Sequence, residues 1–159
     1  MKTSESGRAI IKTFEGLRLR SYKCPAGVWT VGYGHTHGVT ANMVIDENTA
    51  ERFLDEDLRV IEEYLSMQFP SLTQCKFDAM ASFIFNVGLG AFKCSTLCSL
   101  LSRKASDMVI CNQLFRWVYA AGKPLVGLAR RRVAEANRWM DDGFFTLVIQ
   151  KDYFYIIPT

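Results

Sequence analysis

The stretch Phe14-Glu15-Gly16-Leu17-Arg18-Leu19-Arg20-Ser21-Tyr22-Lys23-Cys24-Pro25-Ala26-Gly27-Val28-Trp29-Thr30-Val31-Gly32-Tyr33-Gly34-His35-Thr36 decides how this chain is read. A helical pattern ends at its start. Short alternating runs broken by Pro25-Ala26-Gly27 follow, which is the pattern of a β-hairpin or small sheet. Glu15 stands on the junction, beside Phe14 and Leu17. A carboxyl among apolar groups is poorly solvated as an anion and keeps its proton longer. That suits a general acid working near neutral pH.

The spacing narrows this further. Glu15 is followed after eight residues by Cys24, and Cys24 after five by Thr30. Three blocks surround the triad in order: Glu15-Gly16-Leu17-Arg18-Leu19, Gly27-Val28-Trp29-Thr30 and Gly32-Tyr33-Gly34-His35-Thr36. Here the chain resembles the phage-type lysozymes, the endolysins of glycoside hydrolase family 24, whose pattern is Glu, eight residues, Asp or Cys, five residues, Thr. The likeness continues at Ser82 to Gly88, at Ser95-Thr96-Leu97 and at Gly127 to Arg132, covers Ser4 to Met140, and fails beyond.

The resemblance implies an α+β fold of two lobes, a small sheet lobe joined by a long helix to a mainly helical lobe. It implies hydrolysis of the β-1,4 bond between N-acetylmuramic acid and N-acetylglucosamine, with Glu15, Cys24 and Thr30 as the catalytic set. Thr36, Phe85, Asn86 and Ser95 match positions that line the sugar groove. The expected partner is peptidoglycan, with neither metal nor cofactor, no nucleic acid and no stable membrane insertion. A monomer is expected, held in the bacterial cytoplasm until a membrane pore, the holin, releases it to the wall. Alternatives are an inactive peptidoglycan-binding module and a secreted antibacterial effector.

Cys24 occupies the position where most relatives carry Asp. A free thiol has a pKa of about 8.5 and is mostly neutral at pH 7. Lys23 beside it is positioned to raise the thiolate fraction. Three roles stay open: thiolate base, thiolate nucleophile, or a thiol that shapes the pocket while Thr30 holds the water. A hydroxyl both donates and accepts, so Thr30 suits that task. Arg130, Arg131 and Arg132 are candidates to approach Glu15, because the family brings its last helix back towards the acid. They are also candidates to attract an anionic wall. His35 is expected to be structural, bonded to a carboxylate of the acidic helix. Trp29 and Trp117 are expected in the core.

Composition agrees with one domain. The chain has 159 residues, is 49% hydrophobic and carries a net charge of +3, which suits a packed core and excludes a disordered chain. Asp46 to Glu63 holds eight acids and two bases, whereas Arg103 to Arg138 holds eight bases and two acids. Five cysteines at irregular spacing are not a disulfide framework. The polar start, Met1 to Arg8, is expected to be neither signal peptide nor membrane anchor.

Periodicity predicts helices from Ser4 to Phe14, with Ala9, Ile10, Ile11 and Phe14 inward, from Asp46 along Ala50, Phe53, Leu54, Leu58, Ile61 and Leu65, and from Thr73 to Val87. Others are predicted from Ser95 to Leu101, Met108 to Tyr119 and Leu128 to Met140. The lysozyme-like domain is expected to span 1–140. Residues 141–159 form an apolar tail broken at Lys151-Asp152, read as two short strands, a packed arm or a sticky terminus.

Overall fold

The computed structural model describes residues 1–141, 143–150 and 153–159. Helix α1 (Glu5–Glu15) begins at Ser4, whose hydroxyl accepts the Gly7 N–H, and ends at Gly16. Such a cap is worth about 1 kcal/mol. The inward side of α1 is Gly7 and Ile11, one turn apart, while Ala9 faces solvent, contrary to the expected stripe. Strands β1 (Arg18–Lys23) and β2 (Trp29–Gly32) pair antiparallel with Tyr22 opposite Thr30 and an irregularity between Arg18 and Tyr22. The segment around Val44 adds to the other side of β1, through Ser21 N–H to Met43 O (2.8 Å) and Ile45 N–H to Leu19 O (2.9 Å).

Helix α2 (Glu47–Gln68) starts at Asp46, whose carboxylate accepts the Thr49 N–H at 2.8 Å. At 1.5 Å per residue its length is roughly 33 Å, enough to cross both lobes. Ala50, Leu54, Leu58, Ile61 and Leu65 are buried as the period of 3.6 requires. Ile11, Leu54 and Leu58 form a small core with Tyr33 and Phe85, whereas Ile61 and Leu65 join the larger one. Glu62 belongs to the acid-rich stretch Asp46 to Glu63. It is nonetheless buried, because the Thr3 N–H and Lys2 Nζ both reach it at 2.8 Å.

The larger core surrounds α3 (Gln74–Val87), in which every residue from Phe77 to Ile84 is buried. A helix buried all round belongs at the centre of a bundle. Around it lie α4 (Leu89–Lys93), α5 (Thr96–Ser102), α6 (Asp107–Leu114) and α7 (Val126–Met140). Helix α6 stops five residues before the expected Tyr119. Arg116 and Trp117 turn back onto Gln113 and Leu114 with tighter bonds, and the chain enters a hairpin of β3 (Tyr119–Ala120) and β4 (Lys123–Pro124).

Of the readings left open for the tail, two paired strands is the one found. Strands β5 (Phe145–Gln150) and β6 (Tyr153–Pro158) form a hairpin running from Phe145 opposite Pro158 to Gln150 opposite Tyr153. The Asn137 side chain clamps its base, accepting from the Phe145 N–H (2.7 Å) and donating to the Phe145 carbonyl (3.0 Å). The Phe145 ring meets Phe115 edge-on at 4.9 Å and is buried in the helical core. The expected break at Lys151-Asp152 lies outside the described residues. Among the described residues, no helix is long and apolar enough to cross a membrane.

Candidate active site

Glu15 is the last residue of α1, so its side chain leaves the helix where the chain turns into the sheet. It is 23% exposed, and its Oε1 receives Arg131 Nη1 at 2.5 Å. Its other oxygen lies beside Gly34. That glycine has φ +100°, and a Cβ there would stand 3.8 Å from Glu15 Oε2. The positive φ, which L side chains rarely adopt, is the reason a glycine stands here. Phe14, Glu15, Asn86, Leu125, Val126, Gly127, Leu128 and Arg131 line a cavity of about 440 Å³. A neighbouring hollow of about 210 Å³ is lined by Gly34, Thr36, Phe85 and Asp57 among others. Gly34 lies beside Glu15 and Phe85 precedes Asn86 in the chain, so the two hollows are neighbours and make up the cleft region.

Cys24 and Thr30 stand together across the base of the hairpin turn. Cys24 N–H donates to Val28 O (2.9 Å) and Gly27 N–H to Cys24 O (2.7 Å), with Gly27 at φ +78°. This turn points backbone N–H groups of Val28 and then Ala26 at the sulfur, which hold the thiol below its ordinary pKa. Partial burial opposes them and the Thr30 hydroxyl assists. Lys23 is not the cause, because its ammonium lies over the Trp29 ring at 5.4 Å. The other shifted thiols move the opposite way: Cys75 is raised by its bond to Asp141, and burial pushes Cys111 up to about 12. Thr30 is 3% exposed and its hydroxyl lies 3.0 Å from Val28 O.

Of the expected groove residues, Thr36, Phe85 and Asn86 line the cleft. Ser95 does not line either hollow. Its hydroxyl donates to Phe92 O (2.7 Å) and accepts from the Cys98 N–H (3.0 Å), the work of a helix cap. His35 is buried, stacked on Phe53 at 4.1 Å, with Nδ1 3.0 Å from the Asp57 carboxylate of α2. Its role is structural as expected. Trp117 packs edge-on against Phe83 at 5.3 Å.

The arginines divide. Arg130 is exposed, but Arg131 and Arg132 are 2% and 0% exposed. Two of the three therefore cannot form a solvent-facing basic patch. They face inward because Glu135, fully buried, lies one turn along α7: Arg131 Nε is 3.2 Å from its Oε1 and Arg132 Nε 2.9 Å from its Oε2. Desolvation raises the pKa of Glu135 and lowers that of Arg132. The Arg131–Glu135 spacing was visible in the sequence as a helical pair, but not its burial nor its link to Asn86. Among the described residues, no group of three or more His, Cys, Asp or Glu side chains is arranged to hold a metal. A separate hollow of about 650 Å³ is lined by Phe115, Arg116, Val118, Tyr119, Phe154, Tyr155 and Ile156.

A family model described as phage lysozyme matches residues 12–135. The chain belongs to the phage lysozyme family. The enzyme is thus a glycoside hydrolase of the lysozyme type. It is 44% identical over 141 residues to an endolysin from Acyrthosiphon pisum secondary endosymbiont phage 1, covering 85% of this chain and 95% of that one. It is 37% identical to an endolysin of Bacillus phage B103 over 88% of this chain, and spans 54% of that longer protein. The active form of the P1 phage endolysin Lyz superposes with a TM-score of 0.80 at 27% identity, covering 89% of this chain and 86% of that one. The two-lobed α+β lysozyme fold follows from both sequence and shape.

Proposed function

We propose that this phage lysozyme hydrolyses the β-1,4 bond between N-acetylmuramic acid and N-acetylglucosamine in peptidoglycan, with Glu15 as the proton donor. The observation that carries this is the setting of Glu15. One of its oxygens is tied to Arg131 while the other lies towards Gly34, at the meeting of the two hollows. Glycoside hydrolysis needs an acid for the leaving oxygen and a second group to manage water or the sugar cation.

Cys24 and Thr30 are the proposed second group. The thiol held in the turn reaches its anionic form at lower pH than an ordinary thiol, which supports a thiolate acting where relatives use Asp. Thr30, beside it, would hold the attacking water. Thr36, Phe85 and Asn86 are the proposed sugar contacts, whereas Ser95 would shape the helical wall through its cap. Residues 1–140 are proposed as the catalytic unit.

The enzyme is proposed to work as a monomer, to accumulate in the host cytoplasm and to reach the wall when a holin opens the membrane. Clearing of a purified peptidoglycan suspension, with new reducing ends at muramic acid, tests the activity. New ends at glucosamine only, or none, would overturn it. Expression with and without a holin tests release: lysis at the same time in both would overturn the dependence.

A further inference from the structure

Glu135 is a fully buried charged group with no evident place in the chemistry. Its Oε1 accepts from Ser82 Oγ (2.8 Å), Arg131 Nε (3.2 Å) and Arg132 Nη2 (3.0 Å), and its Oε2 faces Arg132 Nε at 2.9 Å. Each arginine then reaches a residue that lines the cleft. Arg131 Nη1 meets Glu15 Oε1, and Arg132 Nη2 meets Asn86 Oδ1 at 2.9 Å. Glu15 ends α1 and Asn86 lies in the last turn of α3, so the two reach the same cavity from different elements.

A guanidinium is a rigid plane with donors at fixed angles. Anchoring Nε therefore sets where the outer nitrogens point. For Arg131 the plane is held at Nε by Glu135 and at Nη2 by the Ser82 carbonyl (3.1 Å), leaving Nη1 aimed at Glu15. For Arg132 the plane lies over the Phe83 ring, 4.8 Å away. We propose that Glu135 is a positioning residue that places Glu15 and Asn86 together, one through each arginine, and thereby fixes the spacing between the acid and a sugar-binding amide. This rests on Glu15 being the acid.

The second arm has a chemical consequence. Arginine only donates hydrogen bonds, so Asn86 must turn its carbonyl to Arg132. Its NH₂ group is then the part free to meet substrate. Asn86 would thus offer donors alone, suited to an acceptor on the glycan such as an N-acetyl carbonyl oxygen.

Kinetics on one peptidoglycan preparation test this, with each variant's melting curve measured alongside. Arg132→Lys keeps the charge but has no rigid plane of the same reach to hold one nitrogen, as Arg132 Nη2 is held, against both Glu135 and Asn86. It should raise the apparent KM about tenfold, the worth of one modest hydrogen bond, with kcat little changed. Asn86→Ala should do the same, and the double variant should be no worse than Asn86→Ala alone. Asn86→Asp keeps the bond to Arg132 but replaces the donor, so it should match Asn86→Ala. Glu135→Asp keeps the charge at the wrong reach and should lower kcat by up to about a hundredfold through misplacement of Glu15 while also raising the apparent KM.

Independent, multiplying effects of Arg132→Lys and Asn86→Ala would overturn the proposal. So would an Arg132→Lys or folded Glu135→Asp enzyme with unchanged constants. If Glu135→Asp does not fold, the Arg132 and Asn86 pair decides. Glu15→Gln is run in parallel: its normal turnover would remove the acid assignment, whereas the coupling of Arg132 with Asn86 is read from KM and fails or stands separately.

Discussion

Arg131 and Glu15 are 116 residues apart in the chain and joined by an ion pair of 2.5 Å at the floor of the cleft. The arginine is buried and the glutamate partly open, so the pair links the helical core to the cleft. It ties the first helix to the last one and makes the site depend on both ends of the matched region.

Glu15→Gln keeps the shape of the side chain and removes its transferable proton. Loss of general acid catalysis costs roughly 100- to 10,000-fold. The expected variant folds, sediments with peptidoglycan and clears a wall suspension slower by that factor. Near-normal clearing would remove Glu15 from its role.

Cys24 is best tested by pH. Its thiol is held low by the N–H groups of the turn, so if the thiolate is the working form, activity rises with pH through a midpoint lower than that of an unperturbed thiol. Cys24→Asp should move that rising limb down towards pH ~4, where a carboxylate ionises. Cys24→Ser stays neutral and should be nearly inactive. A fully active Ser form would leave the water to Thr30 and Glu15. The product anomer, read by NMR, separates base from nucleophile, because a covalent intermediate gives retention.

Arg130 and Arg131 make a paired test of burial. Arg130 is exposed, so Arg130→Gln should change stability by no more than about 0.5 kcal/mol. It should also flatten the fall in wall clearing as salt rises, because exposed charges are screened beyond about 10 Å at ~0.1 M salt. Arg131→Gln strands Glu135 and Glu15 without one of their partners. Breaking a buried pair costs about 3–5 kcal/mol, visible as a lower denaturant midpoint. Equal midpoints for the two variants would contradict the buried placement.

The C-terminal hairpin should contribute to stability without touching the chemistry. Phe145→Ala empties a site in the helical core and should cost about 3–5 kcal/mol. Removal of residues 141–159 uncovers the same surface, so the shortened protein should melt earlier while its folded fraction keeps cleaving. A truncated chain that melts like the parent, or is folded but inactive, would show that the hairpin's role lies elsewhere.

Much of this molecule is local in origin and therefore readable. The Glu-to-Cys-to-Thr spacing, the Ser4 and Asp46 caps and the apolar period of α2 each rest on residues near one another in the chain. They located the lobes, the long helix and the candidate acid. Misreadings came where a distant partner reversed a local rule. Glu62 belongs to an acidic helix yet is buried, because Lys2 and the Thr3 N–H come from the other end of the sequence. Lys23 neighbours Cys24 but is taken up by Trp29, and the sulfur is served by backbone instead.

By itself the sequence determined which residue types stand at which intervals, and so the family, the lobes and the candidate acid, since helix period, capping and turn chemistry act over a few residues. Only the tertiary structure decided that Arg131 and Arg132 turn inward to Glu135 while Arg130 meets solvent, and that Asn86 and Glu15 are tied to the same carboxylate. A run of three arginines reads as one basic patch along the chain. Once wound into a helix its members point about 100° apart, and burial then depends on where a fully enclosed carboxylate waits for them.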